Sequence, residues 1–135
     1  MRIFLDTNVL VSAFATRGLC ADLFELVLLE HDLVLGRHVA DELSRSLRRK
    51  LKLPPAIAQE IVAFVQGETS QFVSESHAVD AEVGQADALV LGEAIAGHSD
   101  VFVTGDAALL GLRTVREMTM VSPRGLWEML HSGGK

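Results

Sequence analysis

The chain has 135 residues, 49% of them hydrophobic, with a single cysteine and a formal net charge of −6 at pH 7. That length matches one ordinary domain able to bury roughly two-thirds of its unfolded surface, and the absence of low-complexity blocks and of any fixed repeat excludes disorder and solenoids. The lone Cys20 excludes an internal disulfide and suits a reducing, cytoplasmic setting, while no apolar run approaches the ~20 residues of a membrane span.

The N-terminal run Val9 to Ala15 imitates a signal peptide only faintly, because Asp6 and Asn8 interrupt its apolar core. In chain order, the pattern predicts a strand at Arg2 to Asp6, a helix from Thr7 to about Ala15, a turn at Gly18 and a helix from Ala21 to His31. Leu33-Val34-Leu35 reads as a second strand stopped by Gly36. A helix follows from Arg37 to about Leu51, and another from Pro55 to Gly67, since proline is tolerated in a first helical turn. Gln71 to Ser74 is a weaker third strand, and His77 to Gly84 a polar loop. Gln85 to Gly97 is a helix closing on glycine, Val101 to Thr104 a buried strand, and Ala107 to Leu112 a short helix. Met118 to Val121 reads as a last strand, Pro123 opens a terminal helix through Leu130, and residues 132–135 read as a flexible tail.

Alternating strands and helices imply an α/β fold in three layers, a mainly parallel sheet of order 3-2-1-4-5 between helices, in a single domain over 1–135. In such sheets function gathers at the carboxyl ends of strands where the order reverses, here between the first strand and the fourth. Both of those strands end in an acid, Asp6 and Asp106. Neighbouring strands lie ~4.8 Å apart, so two such carboxylates can reach one cation. Two further acids occupy odd positions on helices. Glu42 borders the stripe Val39, Leu43, Leu47, and Asp87 shares a face with Val90, Leu91 and Ala94, where charges seldom sit without partners.

Each acid also has a plain structural explanation. Asp6 and Asp106 can cap the helices that follow them, Glu42 can pair with Arg45 or Arg49 on its own helix, and Asp87 can favour the positive end of its helix. Four such coincidences around one crevice are harder to accept together.

The stretch Asp6-Thr7-Asn8 after a first strand, Glu42 in the helix after the second, Asp87 in a later helix, and Val103-Thr104-Gly105-Asp106 with Leu109-Leu110 resemble the PIN-domain nucleases. The resemblance is to the toxin branch found in VapBC-type toxin–antitoxin pairs, and it extends to the ending Ser122-Pro123-Arg124-Gly125-Leu126-Trp127. One departure is Gln85-Ala86, which stands where the family often has another acid just before the third. The resemblance implies a PIN-like fold, a metal-dependent ribonuclease activity, a cognate antitoxin and a homodimer.

A phosphodiester needs an activated water and stabilised charge on the phosphate and leaving oxygen, which one or two hard cations supply. Mg2+ or Mn2+ prefers oxygen ligands. Asp6 and Asp106 are the expected central ligands, with Glu42 and Asp87 completing or supporting the site, and Asn8 and Thr104 orienting a carboxylate or water.

The overall charge is acidic, yet Arg37 to Lys52 carries +4 and leaves −10 for the rest. Arg45 and Arg49 follow Glu42 at spacings of three and seven, so they project from nearly its side and can steer RNA phosphates, a solvated helix face being the ordinary alternative. The five histidines lack paired zinc spacing and read as surface or loop residues, and Trp127 reads as packing for the last helix. A haloacid-dehalogenase-type phosphatase would want Asp where Asn8 stands, and a receiver domain would want Lys where Ser122 precedes Pro123. A degenerate PIN module that binds RNA or a protein without cutting remains the competing reading.

Overall fold

The computed structural model describes residues 1–132. Over these residues six strands and seven helices follow one another: β1 (Arg2–Leu5), α1 (Thr7–Ala15), α2 (Leu19–Glu30), β2 (Asp32–Gly36), α3 (Arg37–Arg49), α4 (Pro55–Gly67), β3 (Gln71–Val73), α5 (Gln85–Ala96), β4 (Val101–Val103), α6 (Ala107–Leu110), β5 (Thr114–Val115), β6 (Met118–Val121) and α7 (Pro123–Ser132). They build one sheet of order β3-β2-β1-β4-β6-β5.

β1 is the middle of that sheet because its three apolar residues can be buried on both faces. Ile3, Phe4 and Leu5 are fully buried, pairing in parallel with Leu33 and Val34 on one side and with Val101, Phe102 and Val103 on the other. Phe4 and Phe102 stack across the β1–β4 pair with ring centroids 5.1 Å apart. Each such ring removed from water contributes on the order of 2–3 kcal/mol. β6 extends the parallel array, Val101 opposite Thr119 and Val103 opposite Val121. The order reverses between β1 and β4, as expected from the sequence, and the strand at Met118–Val121 lies beside β4 as foreseen, but the edge expected for it is taken by β5.

The sixth strand was not foreseen. Thr114 and Val115 run antiparallel to Met118 and Thr119, a two-residue strand joined by a turn whose first residue, Arg116, has φ 56. Arg113 on its other flank has φ 63. Such turns ordinarily announce themselves with Gly or Asn at the positive-φ position, and two arginines there give no signal.

The helix after Gln85 closes on Gly97 as foreseen, though for a different reason. Gly97 itself has φ −82, and the left-handed residue is His98, φ 58. Glycine is needed at 97 because an added Cβ would lie 2.4 Å from Val34 Cγ1. The last helix runs through Ser132 rather than stopping short of it, and the rest of the expected tail, residues 133–135, lies outside the described residues.

α3 shows how the site-bearing helix is anchored. Val39, Ala40, Leu43 and Leu47 are buried while Asp41, Arg45, Arg48 and Arg49 are exposed, so one stripe packs on β2, α1, α4 and α5. Helices α3 and α5 thus flank the carboxyl ends of the central strands. No described helix is long and apolar enough to cross a membrane.

Candidate active site

At the end of β1 the Asp6 backbone N–H donates to Val103 O at 2.9 Å, which carries the β1–β4 pairing one residue beyond the strand. Asp6 then leaves the sheet as the N-cap of α1, and its Oδ1 accepts the Thr7 backbone N–H at 2.9 Å. On the neighbouring strand, Thr104 N–H donates to Val121 O at 3.0 Å and turns the chain out of β4. Asp106 follows as the N-cap of α6, with Oδ1 accepting from Ala108 N–H at 2.8 Å and Leu109 N–H at 3.1 Å. The capping explanation therefore holds for both acids, and it leaves Asp106 Oδ2 without a hydrogen-bond partner among the described residues.

Thr104 ties the two together. It is 0% exposed, its hydroxyl donates to Asp6 Oδ2 at 2.7 Å, and the same oxygen accepts the Asp106 backbone N–H at 3.0 Å. One buried hydroxyl thus bridges the end of β1 to the start of α6. Asn8 makes a second, longer link, its Oδ1 accepting from Gly105 N–H at 3.4 Å. Thr104 therefore contacts an acid directly, whereas the hydrogen bond of Asn8 is to the Gly105 backbone.

Asp6, Glu42, Asp87 and Asp106 line a single cleft of about 260 Å³, together with Asn8, His38, Ser46 and Lys50. Four separate segments supply the acids: the β1–α1 corner, α3, the first turn of α5 and the β4–α6 corner. Electrostatics register the crowding. Burial pushes the Asp6 carboxyl above its ordinary value; the hydrogen bonds from Thr104 and Thr7 pull it back, and the charges of Asp87 and Asp106 push it up again. Asp87 is likewise raised, first by burial and then by Asp106.

Glu42 is exposed and its Oε1 meets Arg45 at 3.1 Å, so the same-helix pair foreseen as its ordinary explanation is formed. Exposed pairs of this kind contribute only about 0–1 kcal/mol, little resistance to a stronger competitor for the carboxylate. Arg49 is exposed and, like Arg45, does not line the cleft; Lys50 does. His38 is exposed, as the reading of the histidines as surface residues expected, but that reading missed its surroundings. It lines the cleft, and its ring Nδ1 lies 3.4 Å from Glu93 Oε2. The signal was available, since His38 and Glu42 are four apart on one helix face. Trp127 packs as expected, partly buried against the core and stacked on His131 at 3.8 Å.

The cleft offers oxygen donors, carboxylates above all, at the carboxyl ends of β1 and β4, the donor chemistry that hard divalent cations take. Among the described residues no three Asp, Glu, His or Cys side chains converge tightly enough to enclose an ion as they stand. Glu42 is turned toward Arg45, the one cationic side chain paired with any of the four acids among the described residues.

No protein-family model and no curated protein matches the sequence. Among solved structures the chain is similar to VapBC2 from Rickettsia felis, bound there to a DNA fragment from its promoter, with a TM-score of 0.66 over 90% of this chain and 98% of that one. The fold is PIN-like. Identity over that match is 15%, so the likeness concerns the arrangement of strands and helices, and the chemistry has to be argued from this chain's own residues.

Proposed function

We propose that this protein is a metal-dependent ribonuclease, the toxin of a toxin–antitoxin pair, in which Asp6, Glu42, Asp87 and Asp106 hold one or two Mg2+ or Mn2+ ions. The observation that carries the proposal is the meeting of those four acids, from four separate segments, in one cleft at the switch point of the sheet. A divalent ion bound there would lower the pKa of a water and stabilise charge on a phosphodiester. The chain's own residues do the rest. Thr104 and the Thr7 backbone N–H hold the Asp6 carboxylate, α6 holds one oxygen of Asp106, and Lys50 offers a cation to an entering phosphate. Arg45 and Arg49, exposed further along α3, steer RNA toward the mouth.

An antitoxin partner is supported by the neighbouring VapBC2 assembly. Leu29, Ile57 and Phe64, large apolar side chains left exposed on α2 and α4, offer surface for a protein contact, the antitoxin or a second copy in a homodimer. The setting proposed for this activity is the cytoplasm, where single-stranded RNA is available.

The test is hydrolysis of labelled RNA by the pure protein in Mn2+ or Mg2+. Asp6→Asn and excess EDTA should each abolish cleavage while the protein stays folded; cleavage that survives either one would show the site to be misassigned. The Glu42–Arg45 pair favours a second reading, a PIN module that binds RNA or a protein without cutting. It predicts RNA binding with no metal-dependent cleavage in the same assay.

A further inference from the structure

Glu93 is the one buried acid among the described residues, 2% exposed, and the cleft chemistry above makes no use of it. Buried carboxylates are costly unless matched by donors, and the match here is unusual. No described Lys or Arg pairs with Glu93. Instead the His38 backbone N–H donates to both of its oxygens, at 3.2 and 3.1 Å, and the His38 ring lies against Oε2.

His38 is the second residue of α3, and the N-cap of that helix is Gly36, which has no side chain to satisfy the free N–H groups of the first turn. Glu93 supplies from α5 the acceptor that a capping side chain would supply locally, at the positive end of the α3 dipole. The approach is close. A Cβ added at Gly36 would lie 2.1 Å from Glu93 Oε1 and 2.8 Å from Glu93 Cβ, so glycine at 36 is what allows the carboxylate in.

The joint matters because of what the two helices carry. Asp6 and Asp106 stand at corners held by the sheet and bridged by Thr104. Glu42 and Asp87 stand on α3 and α5, whose mutual placement the sheet hydrogen bonds do not set. Glu42 lies one turn beyond His38, on the face that looks into the cleft. We infer that Glu93 is a positioning residue: it clamps the start of α3 to α5 and so sets the spacing of Glu42 and Asp87 on which a divalent ion in the cleft depends. This inference rests on the metal reading proposed above.

The experiment titrates Mn2+ into the intact protein and follows free Mn2+ by electron paramagnetic resonance, with hydrogen exchange at the His38 amide as a second readout. Wild type should bind, and Asp6→Asn should lose the site. Glu93→Ala should bind at least about tenfold more weakly and exchange its His38 amide faster. Glu93→Gln, which keeps an acceptor oxygen, should recover most of the affinity. Should Glu93→Ala fail to fold, Gly36→Ala displaces the carboxylate without removing it and is expected to weaken Mn2+ binding in the same direction. A folded Glu93→Ala that loses stability yet binds Mn2+ like wild type overturns the clamp and leaves the metal reading standing. If wild type and Asp6→Asn take up Mn2+ alike, the metal reading falls, and the clamp falls with it for want of a site to position.

Discussion

Replacing Thr104 with valine keeps the shape of a fully buried side chain and removes a single hydroxyl. Two hydrogen bonds go with it, the 2.7 Å donation to Asp6 Oδ2 and the 3.0 Å acceptance from Asp106 N–H. A hydrogen bond to a charged group contributes about 1.5–3 kcal/mol, and the stranded Asp106 N–H costs about a further 1 kcal/mol, at the low end because Asp106 is exposed enough for water to compensate. The sum is about 3 kcal/mol, against a total stability of roughly 5–15 kcal/mol for a domain. In a chain of this length that corresponds to a fall in Tm of about 10 °C. Thr104→Ser keeps the hydroxyl and loses one methyl, for about 1 kcal/mol. Urea denaturation of the three proteins at neutral pH measures both differences. A valine variant within about 0.5 kcal/mol of wild type, or a serine variant less stable than the valine one, would refute the claim that this hydroxyl joins the two corners. The same Thr104→Val protein should bind Mn2+ about 10–100-fold more weakly, because the carboxylate it orients is a proposed ligand.

Gly36→Ala puts a methyl 2.1 Å from Glu93 Oε1 and should destabilise by about 2–3 kcal/mol in the same denaturation assay; a change under about 0.5 kcal/mol would mean that the joint yields freely. The Glu93 carboxyl is held above its usual value, chiefly by burial and despite the hydrogen bonds from His38. A raised carboxyl contributes stability that is fully present below its unfolded pKa of about 4.3 and is lost as pH climbs through the raised value. Glu93→Gln lacks that group, so its stability relative to wild type should improve as pH rises across that window, and a difference flat with pH would contradict the shift. Saturating Mn2+ should raise stability by about 2.7 kcal/mol at a hundredfold excess over Kd, an increment that Asp6→Asn should not show in thermal melts. Replacing Arg45 and Arg49 with Ala should reduce the slope of log affinity against log salt for single-stranded RNA by about 1.4; an unchanged slope would return the two arginines to a solvated helix face.

The clearest sequence signals were those with a local cause. The apolar run Ile3 to Leu5 ending at Asp6, the stripe Val39, Leu43, Leu47 and the proline at the head of α4 each carry their own period or boundary. They were enough to foresee β1 between its two parallel neighbours and the reversal beside Asp6 and Asp106. The β5–β6 hairpin was missed because its positive-φ positions are filled by Arg113 and Arg116, residues that no turn rule selects.

What the sequence determined by itself is which acids could share a crevice, because a carboxylate at a strand end or on the inward edge of a helix is placed by local periodicity. What only the tertiary structure decided is how those acids are held. Thr104 reaches Asp6 across 98 positions of sequence, and Glu93 reaches the head of α3 across 55. Neither contact has a periodicity, since each depends on two segments brought together by the sheet. The same holds for His38, whose place in the cleft is set by its helix but whose partner lies on another.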